Sequence, residues 1–210
     1  MWGEDSEVRS ALRVSLLLAT LVPFEMRAAD GPVVFVGSSI VRRWTNLAPQ
    51  MAPFQVVNRG FDGAVTPDML RVLEALVVPA RPSVIVYYCG SNDVSAGEPA
   101  PAIAGRIREF FDRAAAALPA SRLVFVSIIR APDKQDRWDV VDDVNRQVRM
   151  YAVGRANVEY VEVNHVLVNA DGSPRLEFYL ADGLHLRAPA YEALARVLKP
   201  ALGRALTPAR

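Results

Sequence analysis

The sequence predicts an α/β fold built on a mainly parallel sheet, and three observations carry that prediction. From Pro32 onward, short apolar runs alternate with segments of helical periodicity. The central runs are apolar at nearly every position, as strands covered on both faces require. Polar, glycine-bearing segments follow those runs directly, where the loops of an open parallel sheet converge. One domain accommodates all of this. The chain has 210 residues, 51% of them hydrophobic, enough to fill a single core. It has no internal repeat, low-complexity tract or Ser/Gly-rich linker. We place the domain at 32–205 and treat 1–31 as an N-terminal segment.

Within that segment, Val14 to Phe24 (VSLLLATLVPF) has the length of a signal-peptide core and is short for a bilayer span, so no transmembrane segment is expected. Glu4, Asp5 and Glu7 offset Arg9 and Arg13 where a leader would be basic. Neither Met26/Ala28 nor Arg27/Ala29 makes a good small-x-small cleavage site. An atypical leader and a helix packed on the domain are the two readings, and the acidic flank favours a cytoplasmic location.

Five strands are expected, at Val33–Val36, Gln55–Asn58, Val84–Tyr88, Leu123–Ile128 and Val158–Val163. The last carries Glu159 and Glu162 and belongs at an edge. Between them, Thr66 as cap and Pro67 in the first turn open a helix with Met69, Val72, Leu73, Leu76 and Val77 at helical spacing, stopped by Pro79. Pro101 opens the next, whose stripe of Ile103, Ile107, Phe110, Phe111 and Leu118 runs to Pro119. A third carries Val140, Val141, Val144, Val148 and Tyr151 and ends near Gly154. The last begins at Pro189, buries Tyr191, Leu194, Ala195 and Leu198, and ends before Pro200.

Charge and composition exclude several functions. With 24 basic against 23 acidic residues the formal charge is +1, which leaves no electrostatic footprint for nucleic acid or an anionic membrane. Cys89 is the single cysteine, so neither an internal disulfide nor a thiolate metal cage can form, and its apolar neighbours make it a packing residue. Two histidines, His165 and His185, without an H-E-x-x-H pattern give no metal site.

Four polar segments fall where loops should meet: Gly37-Ser38-Ser39, Asn58-Arg59-Gly60-Phe61-Asp62-Gly63, Gly90-Ser91-Asn92-Asp93 and Asp182-Gly183-Leu184-His185. Acyl transfer needs a hydroxyl nucleophile, an imidazole to take its proton, a carboxylate to orient the ring, and donors for the developing oxyanion. All are present. Asp182 and His185 are three apart in a glycine-containing loop, so one turn can set carboxylate against imidazole and leave the second ring nitrogen for Ser39. The G-x-S-x-G elbow of the α/β-hydrolases is absent.

Taken together and in order, Val-Phe-Val-Gly-Ser-Ser at 34–39, the block at 58–63, Gly-Ser-Asn-Asp at 90–93 and Asp-Gly-Leu-His at 182–185 resemble the four sequence blocks of the SGNH (GDSL-type) hydrolases, over roughly Val33 to Leu202. The resemblance implies a three-layer α/β/α, flavodoxin-like fold with strand order 2-1-3-4-5. It implies Ser39 as nucleophile, His185 as general base, Asp182 orienting the ring, and an oxyanion hole of the Ser39 and Gly63 N–H groups with the Asn92 amide. It implies no cofactor and no metal. The substrate class is a small-molecule, carbohydrate or lipid acyl ester, and the lack of a long lid insertion leans towards short acyl groups. A thioester is a third possibility.

This chain departs from the family pattern at four positions. Ser38 stands where the G-D-S motif has Asp, as in a known G-S-S variant; Arg187 and Ala190 replace an Asn and a Gly near the last helix. Asp62, beside Gly63, would repel anionic substrates or favour protonation of His185. Plainer readings exist for several residues: Ser39 as a helix N-cap, Asp93 as a turn former, His165 as structural, and Trp44 and Phe61 as either pocket lining or core. The competing function is a non-catalytic flavodoxin-like or carbohydrate-binding module on the same fold, which would need no Asp182/His185 pair.

Overall fold

The computed structural model describes residues 31–207, so the apolar run at 14–24 lies outside the described residues. Five parallel strands form one sheet: β1 (Val33–Gly37), β2 (Val56–Gly60), β3 (Val84–Tyr88), β4 (Arg122–Val126) and β5 (Val158–Val161), in the order β2-β1-β3-β4-β5. Because side chains alternate across each strand, Val33 and Phe35 of β1 enter one core layer while Val34 and Val36 enter the other. The first layer is completed by α1 (Ser39–Arg42), α2 (Leu47–Met51) and α7 (Ala188–Leu206). On the opposite face pack α3 (Thr66–Val72), α5 (Ala100–Ala117) and α6 (Trp138–Ala152), with the short α4 (Ser91–Ser95) above β3. This is the expected three-layer fold with the expected strand order, and β5 lies at an edge.

Against the sequence expectations, β1 runs one residue further to Gly37 and β2 is shifted to Val56–Gly60, and four other boundaries differ for a local reason. The strands β4 and β5 stop at Val126 and Val161 because side chains take over the backbone there: Ser127 Oγ accepts the Val163 N–H (2.9 Å), and Asn145 both accepts from and donates to the Ile128 backbone (2.8 and 2.9 Å). Thr66 is the first residue of α3 rather than its cap; Asp68 instead accepts the Val65 N–H (3.0 Å). Pro200 lies inside α7, not beyond it. It is exposed, so the hydrogen bond it cannot donate is lost on the solvent side, while buried Leu198, Ala201 and Leu202 continue the apolar stripe through it. Among the described residues, no helix is long and apolar enough to cross a membrane.

Candidate active site

The turn after β1 is shaped by a close approach. A Cβ at Gly37 would lie 2.0 Å from the Tyr88 carbonyl oxygen of β3, so only glycine fits where these strands end. Ser38 caps α1 and its N–H donates to that same carbonyl (3.2 Å). Ser39 is thus the first helical residue, not the cap, and its N–H is one of the donors that α1 cannot satisfy internally. Two long-range bonds pin the helix: Tyr191 Oη donates to the Ile40 carbonyl (3.0 Å) and Asn58 Nδ2 to that of Val41 (2.6 Å).

Opposite α1, the loop that precedes α7 is closed by an antiparallel bridge between Tyr179 and Leu186 and by the Leu180 N–H donating to the His185 carbonyl (2.7 Å). Within it, Asp182 Oδ1 accepts the N–H groups of Leu184 and His185, both at 2.9 Å, and Oδ2 lies 2.7 Å from His185 Nδ1. His185 Nε2 lies 3.0 Å from Ser39 Oγ. The hydrogen bond from the His185 ring pulls the Asp182 carboxyl down to about 2, against desolvation and with lesser help from the two backbone N–H groups. An ionised Asp182 holds the proton of the neutral ring on Nδ1, which leaves Nε2 as an acceptor for the Ser39 O–H.

Gly63 and Asn92 meet on a third side. Gly63 has φ +76°, a conformation open to glycine, and its N–H takes no acceptor among the described residues. Asn92, half-buried at the start of α4, spends one amide hydrogen on the Ala64 carbonyl (2.9 Å) and keeps the other. Ser39 and Asn92 in the first turns of α1 and α4, and Gly63, Asp182 and His185 in loops, therefore lie at the carboxyl edge of the sheet, and the Ser39, His185 and Asp182 side chains form one hydrogen-bonded chain.

Other candidates separate. Asp62 is paired with Arg43 (3.2 Å), so a guanidinium offsets the carboxylate expected to load the site with negative charge. Trp44 is core, stacked near Tyr191 at 5.0 Å between centroids, while Phe61 is exposed. Cys89 is buried, and burial pushes its thiol far up. His165 is exposed and lines a cavity of about 520 Å³ whose walls include neither Ser39 nor His185. Asp93 makes side-chain-to-backbone bonds, but to Thr66, 27 residues away, rather than within a turn. Among the described residues no cluster of three or more His, Cys, Asp or Glu could hold a metal ion.

Sequence reasoning missed the residues that aim these groups. Tyr191 and Asn58 pin α1, and the Asp133 N–H donates to the Gly183 carbonyl behind Asp182 (3.2 Å). Their partners are distant in the chain, so no local pattern marks them.

A strand-helix sheet edge carrying this arrangement defines a hydrolase class, and comparison with known proteins gives the family. The model of the GDSL-like lipase/acylhydrolase family matches residues 30–193, and the chain belongs to that family. It is a hydrolase acting on ester bonds, and the family implies a catalytic triad and an oxyanion hole. No curated protein matches the chain. Among solved structures, one provisionally named a platelet activating factor from Streptococcus pneumonia is 25% identical, covers 82% of this chain and 84% of its own, and superposes with a TM-score of 0.72. The lipase/acylhydrolase from Enterococcus faecalis is 17% identical over 85% of this chain and 99% of its own, with a TM-score of 0.70. An acetyl esterase mutant with an acetate ion is 17% identical over 84% and 98%, with a TM-score of 0.66.

Proposed function

We propose that this protein is a serine esterase that cleaves short acyl esters, acetyl esters foremost, through an acyl-Ser39 intermediate. The observation that carries the reading is the continuous relay from Ser39 Oγ to His185 Nε2 (3.0 Å) and from His185 Nδ1 to Asp182 (2.7 Å). Ser39 Oγ attacks the ester carbonyl carbon and its proton passes to His185 Nε2. The carbonyl oxygen becomes an oxyanion, bound by the N–H groups of Ser39 and Gly63 and the remaining amide hydrogen of Asn92. Collapse of the tetrahedral intermediate expels the alcohol, which takes the proton from His185. Water then attacks the acyl carbon with His185 again as base, and the acid leaves. Asp182 stays ionised throughout and stabilises the imidazolium.

Short acyl groups suit the modest apolar surface of the segments that carry the site, where Phe61 precedes Gly63 and Leu180 precedes His185, both exposed. The likeness to an acetyl esterase holding acetate supports the same choice. The test is hydrolysis of p-nitrophenyl acetate by the wild type and Ser39→Ala, with intact-mass detection of fluorophosphonate labelling. Turnover and a single label in the wild type, both lost in the variant, are expected. Equal activity or equal inertness of the two proteins overturns the reading and favours the binding module.

A further inference from the structure

We infer that Asp93 is a positioning residue for the oxyanion hole, which fixes the distance between the Asn92 amide and the Gly63 N–H by tying their two segments together through Thr66. The inference rests on the serine-esterase reading and goes beyond it, because Asp93 is out of reach of any substrate at 1% exposure.

The geometry is specific. Both Asp93 carboxylate oxygens accept the Thr66 N–H (3.1 and 3.0 Å), and Oδ1 also accepts the Thr66 hydroxyl (2.6 Å) and an Arg106 N–H (3.2 Å). Arg106 Nε in turn donates to Thr66 Oγ (2.7 Å), and the Nη2 that reaches Asp93 also donates to Glu98 (3.2 Å). Asn92, one residue earlier, holds the Ala64 carbonyl. Consecutive residues of α4 thus grip Ala64, next to Gly63, and Thr66, the first residue of α3.

Burying a carboxylate is costly unless donors surround it, and here they do. A turn former would need none of this: side-chain bonds to its own neighbours would suffice. What the network adds is a rigid link between two oxyanion donors that come from different strands. Those donors must meet a transition-state oxygen to within a fraction of an ångström. Thr66 acts in the same link, since its hydroxyl bridges Asp93 and Arg106.

The test measures kcat and KM on p-nitrophenyl acetate for Asp93→Asn, Asn92→Ala and the double variant, with Ser39→Ala alongside. Asp93→Asn keeps the size but replaces one acceptor oxygen by a donor that faces the Thr66 N–H. Its kcat is expected to fall about 10-fold or more with KM changed less than about twofold, since the donors act on the transition state. The double variant should lose far less than the product of the two single losses, because Asp93 acts through the donor already removed. Thr66→Val should lose about three- to fivefold in kcat and Thr66→Ser should recover most of it, which also decides the matter should Asp93→Asn not fold. A folded Asp93→Asn with wild-type kcat, or losses that multiply in the double variant, overturns the inference. So does failure of both Asp93→Asn and Thr66→Val to fold, which makes the network purely structural. Turnover surviving in Ser39→Ala overturns the esterase reading instead, and that result is read separately from the Asp93 series.

Discussion

Asp182 reaches His185 over three residues and leaves 47% of its side chain exposed, whereas Asp93 reaches Thr66 across 27 residues with 2% exposed. Both are carboxylates at the same sheet edge, and they hold their partners by opposite means. The side proposed to transfer the proton is a self-contained loop: one turn supplies the carboxylate, the imidazole and the backbone donors that orient the carboxylate. The proposed oxyanion side joins two strand-end segments, where a buried network ties Asn92 and Asp93 to Ala64 and Thr66. Proton transfer tolerates solvent, and a ring needs only one fixed tautomer and one direction. Oxyanion stabilisation depends on preorganised dipoles, so its supports are buried where they cannot relax.

If that contrast holds, the largest effect is loss of chemistry without loss of fold. His185→Ala should lower kcat on p-nitrophenyl acetate on the order of 10⁴-fold, while the variant stays folded and its urea midpoint falls only by the share that the pair with the exposed Asp182 contributes. A variant that unfolds as readily as it loses activity would erase the distinction between the two sides. Next comes Asn92→Ala, which should lose about 10²- to 10³-fold in kcat through one oxyanion donor; full retention of kcat would remove Asn92 from the site.

The folded carboxyl of Asp182 titrates at about 2, below its ordinary value, so the stability it contributes is present above roughly pH 4 and is lost as pH falls through about 2. Urea midpoints of wild type and Asp182→Asn should therefore differ at pH 5 and converge towards pH 2. A difference that persists unchanged at pH 2 would contradict the assignment. The smallest effect concerns Arg43. Its exposed pair with Asp62 adds little stability, so Arg43→Ala should shift the unfolding free energy by less than about 0.5 kcal/mol. Freeing the Asp62 charge should raise KM about two- to threefold for an anionic succinyl ester relative to p-nitrophenyl acetate. Equal KM changes for both esters would remove Asp62 from any role in charge selection.

How much was legible follows the same division. Strand positions came from apolar runs because a strand covered on both faces cannot hide its composition, and β3 matches its expected bounds at both ends. Ends governed by side-chain bonds to distant backbone, such as those of β4 and β5, fall short of what the apolar runs predict, since Ser127 and Asn145 carry no local sign of those partners. The local cap pattern predicts Thr66 as a cap, whereas its hydroxyl is committed to Asp93 in another segment. Proline breaks isolated helices and so predicts a stop at Pro200, yet here the core stripe of α7 continues past it.

The sequence by itself determined the α/β class, the five strands and the residues able to carry acyl transfer, because periodicity, residue chemistry and the three-residue step from Asp182 to His185 are properties of the chain at short range. Tertiary structure decided that Ser39 and His185, 146 residues apart, come within a hydrogen bond of each other, that Arg43 offsets Asp62, and that Asp93 is a buried brace rather than a turn residue. Those outcomes depend on which strands become neighbours and how closely Gly37 lets them approach. No short window of sequence contains that information, because the contacts that settle it form only when the whole sheet has closed.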